Sequence, residues 1–255
     1  MIQAQARVES IEKVGPNILV LSIHSPEIAP SVRPGQFINI KVNEGDQPLL
    51  RRPFSVYRTE DEILQIIFNI TGLGTTILSR KHEGDLLDLL GPLGCFFGTT
   101  AAYDTAVLVA GGLGVAPLPI LTRDVRRSGR PVETFLGART RDQIITRHLE
   151  NIHVATDDGS EGFHGTVVDA LRGCLKSGKF TKPKIFGCGP NAMLRSLSDL
   201  ATEFDLPCEV SIESPMACGI GICQGCPVES VDGKKKYALV CKEGTVFDSS
   251  TIRIR

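Results

Sequence analysis

The hydrophobic rhythm of the chain changes twice. Up to about residue 99, apolar positions come in short runs, as in Asn17-Ile18-Leu19-Val20-Leu21-Ser22-Ile23, Gln36-Phe37-Ile38-Asn39-Ile40-Lys41-Val42 and Glu62-Ile63-Leu64-Gln65-Ile66-Ile67-Phe68. Pro26, Pro30, Pro34-Gly35 and Gly45-Asp46 punctuate them, and Gly91-Pro92-Leu93-Gly94 predicts a further turn. Short runs at regular spacing, without a helical period, predict a small antiparallel β-barrel over residues 1–99. From about Tyr103 the pattern becomes that of alternating strands and helices. Ala106-Val107-Leu108-Val109-Ala110 is continuously apolar, as a parallel strand covered on both faces must be. It leads into a glycine turn and a helix reaching about Ser128. Val132–Leu136, Ile152–Thr156, Lys184–Phe186 and Cys208–Ile212 follow as strands, with a helix from Asn191 to about Glu203. This order predicts a doubly wound parallel sheet over residues 100–213. Residues 214–255 form a third, small unit in which cysteine rather than periodicity sets the pattern.

Composition narrows the class. Hydrophobic residues make up 42% and charged residues 22% of the 255, which suits a globular protein with real cores. A net charge of −1 gives no general pull toward nucleic acid or anionic membrane. The one basic run, Lys234-Lys235-Lys236, lies between Gly233 and an apolar segment and reads as a solvated hairpin turn. Residues 1–9 lack the apolar core of a signal peptide and no stretch approaches a membrane span, so the expected location is cytoplasmic. Cys95, Cys174, Cys188 and Cys208 are then expected as free thiols.

The other four cysteines, Cys218, Cys223, Cys226 and Cys241, are spaced C-x4-C-x2-C-x14-C. This is the plant-type [2Fe–2S] spacing, in which one loop carries three thiolates and a separate segment the fourth. A structural zinc site would use the same ligand type, but zinc ribbons carry two CxxC knuckles and only Cys223 and Cys226 form one here. Two glycine turns, Gly111-Gly112-Leu113-Gly114-Val115-Ala116-Pro117 and Gly187-Cys188-Gly189-Pro190, stand at strand ends where open α/β sheets bind ligands. The first reads G-x-G-x-x-P, so it departs from the dinucleotide fingerprint at Pro117, and Arg139 rather than an acid closes the second strand. Arg51-Arg52-Pro53-Phe54-Ser55 and Gly72-Leu73-Gly74-Thr75 offer a cation, a hydroxyl and a helix start to a diphosphate. No serine–histidine or paired-carboxylate constellation emerges, so the chemistry falls to cofactors.

Taken together, these motifs resemble the ferredoxin–NADP reductase superfamily, and within it the electron-transfer subunits of NAD-linked dihydroorotate dehydrogenases, over essentially the full length. Arg52-Pro53-Phe54-Ser55 resembles the flavin-ring strand motif, Phe68, Asn69 and Ile70 follow along the flavin, and Gly74-Thr75 resembles the diphosphate turn. Asn69 stands where a basic residue is expected. Gly111, Gly112, Gly114, Val115 and Pro117, with Gly187, Cys188, Gly189 and Pro190, resemble the pyridine-nucleotide turns, and Asp158 and Arg139 fall in the same setting. The resemblance implies FAD, a [2Fe–2S] cluster and NAD(H) as substrate, with Ser55 and Cys188 beside the reacting rings. It further implies an FMN-containing dihydroorotate dehydrogenase catalytic subunit as partner, two copies of each, and a role in pyrimidine biosynthesis. A sulfide-, sulfite- or ferredoxin-linked partner keeps the same chemistry, and a zinc-stabilised binding protein is the reading of another class. The resemblance implies NADH, whereas Arg139 and Arg141 can accept a 2′-phosphate.

Overall fold

The computed structural model describes residues 1–100, 102–233 and 235–255. Its first part is a closed six-stranded barrel made of β1 (Ile2–Gly15), β2 (Ile18–His24), β3 (Phe37–Lys41), β4 (Arg52–Glu60), β5 (Ile63–Asn69) and β6 (Leu86–Leu93), with α1 (Leu73–Leu78) between the last two. The strands run around the barrel in the order β1-β2-β5-β4-β3-β6. β1 closes it by serving two neighbours, since Ile2–Arg7 pairs with β6 and Arg7–Gly15 with β2. Alternate residues along β1 turn inward, which buries Ala6 and Val8 in the barrel core with Leu21, Ile38, Ile40 and Leu64.

One sequence expectation is corrected here. Gly91, Pro92 and Leu93 lie in β6 instead of forming a turn; Gly91 pairs with Ile2, and the turn comes only at Gly94, where φ is +75°. Proline survives in this strand because the β3–β6 register shifts opposite it, between Phe37 and Asn39. Such an irregularity is where a ladder tolerates a missing N–H.

The second part is a parallel sheet built from β7 (Thr105–Gly111), α2 (Leu118–Arg127), β8 (Val132–Ala138), β9 (Ile152–Thr156), β10 (Phe163–His164), α3 (Val167–Lys176), β11 (Pro183–Cys188), α4 (Asn191–Glu203) and β12 (Cys208–Ser211). Leu194, Leu197 and Leu200 form one buried stripe of α4 against the sheet. Each such leucine contributes about 1.5–3 kcal/mol by leaving water. Gly187 has no Cβ for the same reason: one would collide with Leu197. The third part contains β13 (Pro227–Ser230), β14 (Tyr237–Leu239), α5 (Val240–Glu243), β15 (Val246–Asp248) and β16 (Ile252–Arg253). β13 and β14 are antiparallel, so the basic run falls in their connection; Lys234 itself lies outside the described residues.

The parts interlock more than the hydrophobic pattern implies. β15 pairs antiparallel with β12, so the sheet has seven strands in the order β10-β9-β8-β7-β11-β12-β15. One hydrophobic core runs from Val107 and Val210 of the sheet and Leu197 of α4 to Cys226, Val240 and Cys241 of the last part. The linker after the barrel is held just as firmly. The buried Lys184 ammonium meets the Glu209 carboxylate (2.7 Å) and the Gly98 carbonyl (2.8 Å), and the Gly98 N–H donates to Glu209 (2.7 Å). Each buried charge therefore has partners. Phe97 packs edge-on to Phe186 beside this pair, 5.7 Å between centroids.

Candidate redox site

Two cavities and a cysteine loop make up the site. The first, about 380 Å³, opens between barrel and sheet and is lined by Pro53, Phe54 and Ser55 of β4, Phe68 and Asn69 of β5, Thr75, Cys188, Glu213 and Met216 among others. Pairing of Phe37 with Ser55 and of Asn39 with Pro53 fixes the strand that presents these side chains. Arg52 lies beside the cavity with its side chain across Gly74, where a Cβ would press on its Nε and Cγ. Its Nη1 donates to the Leu50 carbonyl (2.6 Å), which aims the guanidinium along the start of α1. Thr75 Oγ1 accepts the N–H of Thr71 (2.9 Å) and Gly72 (3.1 Å), closing the turn that leads into that helix. An apolar wall of Pro53, Phe54 and Phe68, the hydroxyls of Ser55 and Thr75, and the Arg52 cation beside the cavity match a flavin with its diphosphate.

The second cavity, about 440 Å³, lies over the carboxyl ends of the sheet strands and is lined by Gly111, Gly112, Arg139, Asp157, Pro190 and Met193 among others. The two glycine turns pack backbone to backbone: a Cβ on Gly114 would collide with the Cys188 carbonyl, and one on Gly189 would press on Gly111. Glycine is required at both places for that close approach. Cys188 faces the first cavity and Pro190 the second, so a single turn divides them. Burial pushes the Cys188 thiol up to about 12, the Glu213 charge adds to this, and a hydrogen bond with Ser211 opposes it. The sulfur is therefore a neutral, soft contact and not a base or nucleophile.

The third region is the cysteine loop. Cys218 Sγ accepts the N–H of Ile220 (3.5 Å) and Cys223 (3.4 Å), and Cys223 Sγ accepts that of Gly225 (3.4 Å). Cys226 and Cys241 stand 3.2 Å apart, sulfur to sulfur. Burial alone raises the Cys218 thiol, but donors from Cys223, Ile220 and Ile222 outweigh it and bring it down to about 6. Two thiol pairs, Cys218 with Cys223 and Cys226 with Cys241, match two irons with two thiolates each. The donor set, two such pairs at C-x4-C-x2-C-x14-C spacing, fits a [2Fe–2S] cluster. Cys223 and its neighbour Ile222 (76% exposed) are at the surface, while Cys226 and Cys241 are buried.

The remaining sequence candidates fall into different roles. Ile70 lies at the barrel edge next to the first cavity without lining it. Val115 is core, and Pro117 precedes the first turn of α2. Gly187 allows α4 to pack on the sheet. The Asp158 carboxylate accepts the Ser160 N–H (2.9 Å) in a local turn, and its neighbour Asp157 lines the second cavity. Ser211, Glu213 and Met216 are among the residues lining the first cavity that the sequence did not single out. Glu213 remains solvent-accessible at the mouth, yet burial of its carboxyl raises its pKa. Met216 lies two residues and Glu213 five residues before Cys218, and that proximity was the available signal.

Known proteins bear on this geometry. A family described as the iron-sulfur cluster binding domain of dihydroorotate dehydrogenase B matches residues 213–253. The dihydroorotate dehydrogenase B (NAD(+)) electron transfer subunit of Desulforamulus reducens is 35% identical over 252 residues, covering 96% of this chain and 95% of its own. Its counterpart in Enterococcus faecalis is 34% identical over 260 residues, covering 98% of both chains. The solved structure of an NADH-dependent reduced ferredoxin–NADP oxidoreductase superposes with a TM-score of 0.86 at 28% identity, over 98% of this chain and 90% of that one. A ferredoxin–NADP+ reductase from Neisseria gonorrhoeae, at 16% identity and a TM-score of 0.66, shares the fold over 79% of this chain and 91% of its own. Barrel, nucleotide sheet and cysteine loop define an oxidoreductase of the ferredoxin reductase fold with an iron–sulfur part at its C-terminal end. Within that class, the chain belongs to the family of dihydroorotate dehydrogenase B (NAD(+)) electron transfer subunits.

Proposed function

We propose that the protein relays electrons between NAD(H) and the catalytic subunit of a dihydroorotate dehydrogenase, in the oxidation of dihydroorotate to orotate. Residues 1–99 hold FAD, residues 100–213 the pyridine nucleotide and residues 214–255 the cluster, bound by Cys218, Cys223, Cys226 and Cys241. One observation carries the reading: the flavin cavity is bounded on one side by Cys188 of the nucleotide turn and on another by Met216, two residues before Cys218. FAD, when bound, supplies the conversion between two-electron hydride chemistry and single-electron exchange with the cluster. Ser55 offers its hydroxyl to the flavin ring, Arg52 and the turn at Gly74-Thr75 hold the diphosphate, and Phe54 and Phe68 exclude water from the ring. The exposed end of the cysteine loop, at Ile222 and Cys223, faces the partner subunit, which by resemblance carries FMN. Among the described residues no helix is long and apolar enough to cross a membrane. Cluster thiolates and free cysteines favour a reducing compartment, and we assign the protein to the cytoplasm.

The test is reconstitution with the partner. NAD-dependent dihydroorotate oxidation should require both chains, and the chain alone, supplied with FAD, iron and sulfide, should pass electrons from NADH to an artificial acceptor. Stoichiometric zinc with no iron, or no flavin uptake, would defeat the reading; efficient coupling only to ferredoxin would reassign the partner.

Two further outcomes are expected. Cys188→Ser should slow flavin reduction by NADH in stopped-flow more than it raises the apparent Kd, because a contact at the reacting rings counts most in the transition state. An equal change in both would reduce Cys188 to a packing residue. For nucleotide choice, Asp157 lines the cavity and can accept the ribose 2′-hydroxyl, while the Arg141 guanidinium lies 3.7 Å from the Asp142 carboxylate. Like charge should then disfavour NADPH, giving NADH at least about tenfold higher kcat/KM. Asp157→Asn should narrow the ratio, and an NADPH preference abolished by Arg139→Ala would reverse the assignment.

A further inference from the structure

The amide of Asn39 is buried to 2% exposure in the middle of β3, a strand interior that otherwise carries Ile38 and Ile40. Its Nδ2 donates to the main-chain carbonyl of Cys218, 3.2 Å away and 179 residues distant in sequence. Gly219 packs directly on the same amide, and a Cβ there would collide with Asn39 Nδ2. Asn39 pairs across the sheet with Pro53, in the strand that presents Phe54 and Ser55 to the flavin cavity. The second ligand segment is tied to the same end of the barrel, because Thr245 Oγ1 donates to the Gly35 carbonyl (2.6 Å) and the Cys95 N–H donates to that of Gly244.

From this we infer that Asn39 is a positioning residue that seats the first cluster ligand against the flavin strand and so fixes the separation and orientation of the two cofactors. A polar amide at a buried strand position costs stability unless it is bonded. Its partner here is the carbonyl of the very residue whose sulfur ligates iron. Rotation or drift of the loop at Cys218 must break this bond, and Gly219 leaves no slack on the other side. Asn39 makes no contact that binds flavin or nucleotide directly. Its effect is confined to the step in which electrons pass from one cofactor to the other, a step whose rate falls steeply with distance. The inference rests on the cofactor assignment proposed above.

The experiment uses the full chain carrying FAD and reconstituted cluster, compared with Asn39→Leu, which keeps the volume and removes the donor. Iron and sulfide per flavin are measured first, then the EPR spectrum of the dithionite-reduced protein, then stopped-flow reduction of flavin and of cluster by NADH at separate wavelengths. Expected for Asn39→Leu are a retained cluster, altered g-values or broadened lines, flavin reduction within about twofold of wild type, and cluster reduction slowed by roughly tenfold, within the ~100-fold that a misplacement of ~1 Å between reacting groups can cost. Asn39→Ser, which keeps a shorter donor, should recover part of the spectrum and rate. Should Asn39→Leu fail to accumulate, Gly219→Ala disturbs the same contact from the loop side and should shift the EPR signal in the same way. An unchanged spectrum and cluster rate, or equal slowing of both steps, overturns the inference. A wild-type protein without a [2Fe–2S] signal overturns instead the cofactor assignment on which it rests.

Discussion

A Cys223→Ser protein stays yellow and loses its brown absorbance. Cluster iron needs soft thiolate, and a serine oxygen at the same place is a poor substitute. Cys223 is the exposed member of its pair, and its sulfur accepts the Gly225 N–H at the surface, so its loss leaves the cluster without a buried replacement. The rhombic EPR signal of the reduced protein should vanish and iron should fall to background. FAD should remain, because the flavin cavity is built by β4, β5 and the sheet turn. Flavin bleaching by NADH therefore persists, whereas transfer to the partner should drop by at least about 100-fold, beyond what the loss of an outer-shell contact costs a metal site. Retention of full cluster content in Cys223→Ser would show that Cys223 is not a ligand.

Arg52→Ala should release FAD. The guanidinium is held over Gly74 by its bond to the Leu50 carbonyl, so it meets a diphosphate at the start of α1 without having to reorganise. A charge-assisted bond to phosphate is worth about 1.5–3 kcal/mol, which corresponds to roughly ten- to hundredfold weaker flavin retention. The arginine carries more of this burden because Asn69, at the cavity wall, brings no charge. Equilibrium dialysis or flavin fluorescence after dilution reads the change directly, and unaltered retention would move the diphosphate elsewhere. Arg52→Lys should recover little, since an ammonium cannot both bond the Leu50 carbonyl and fork onto phosphate.

How much of this was legible in the sequence depends on how local the causes are. Cluster spacing, the glycine turns and the Arg52-Pro53-Phe54-Ser55 strand are short-range features, and each appears where the pattern puts it. α2 and α4 were equally plain, since their apolar stripes repeat at helical spacing. β1 was not read as a strand, because its buried face is only Ala6, Val8 and a few partly covered side chains. Gly91-Pro92 looked like punctuation because a proline is tolerated in a strand only where the opposite register slips, and that slip belongs to β3. Asp157 and Asp158 are adjacent in sequence, and only the turn in which Asp158 accepts the Ser160 N–H distinguishes them. Glu213 and Asn39 depend on partners brought together by domain packing, and a single polar residue carries no periodicity that could announce it.

The pairing of β15 with β12 separates the order of synthesis from the order of completion. Without Val246–Asp248, the N–H and C=O groups of Glu209–Ser211 would form the free rim of the nucleotide sheet, the kind of rim that recruits foreign strands. The middle of the polypeptide is therefore finished by residues made after every cluster cysteine. A ribosome that has delivered both nucleotide turns still holds an incomplete sheet, because the strand that closes it, Val246–Asp248, is made after Cys218, Cys223, Cys226 and Cys241.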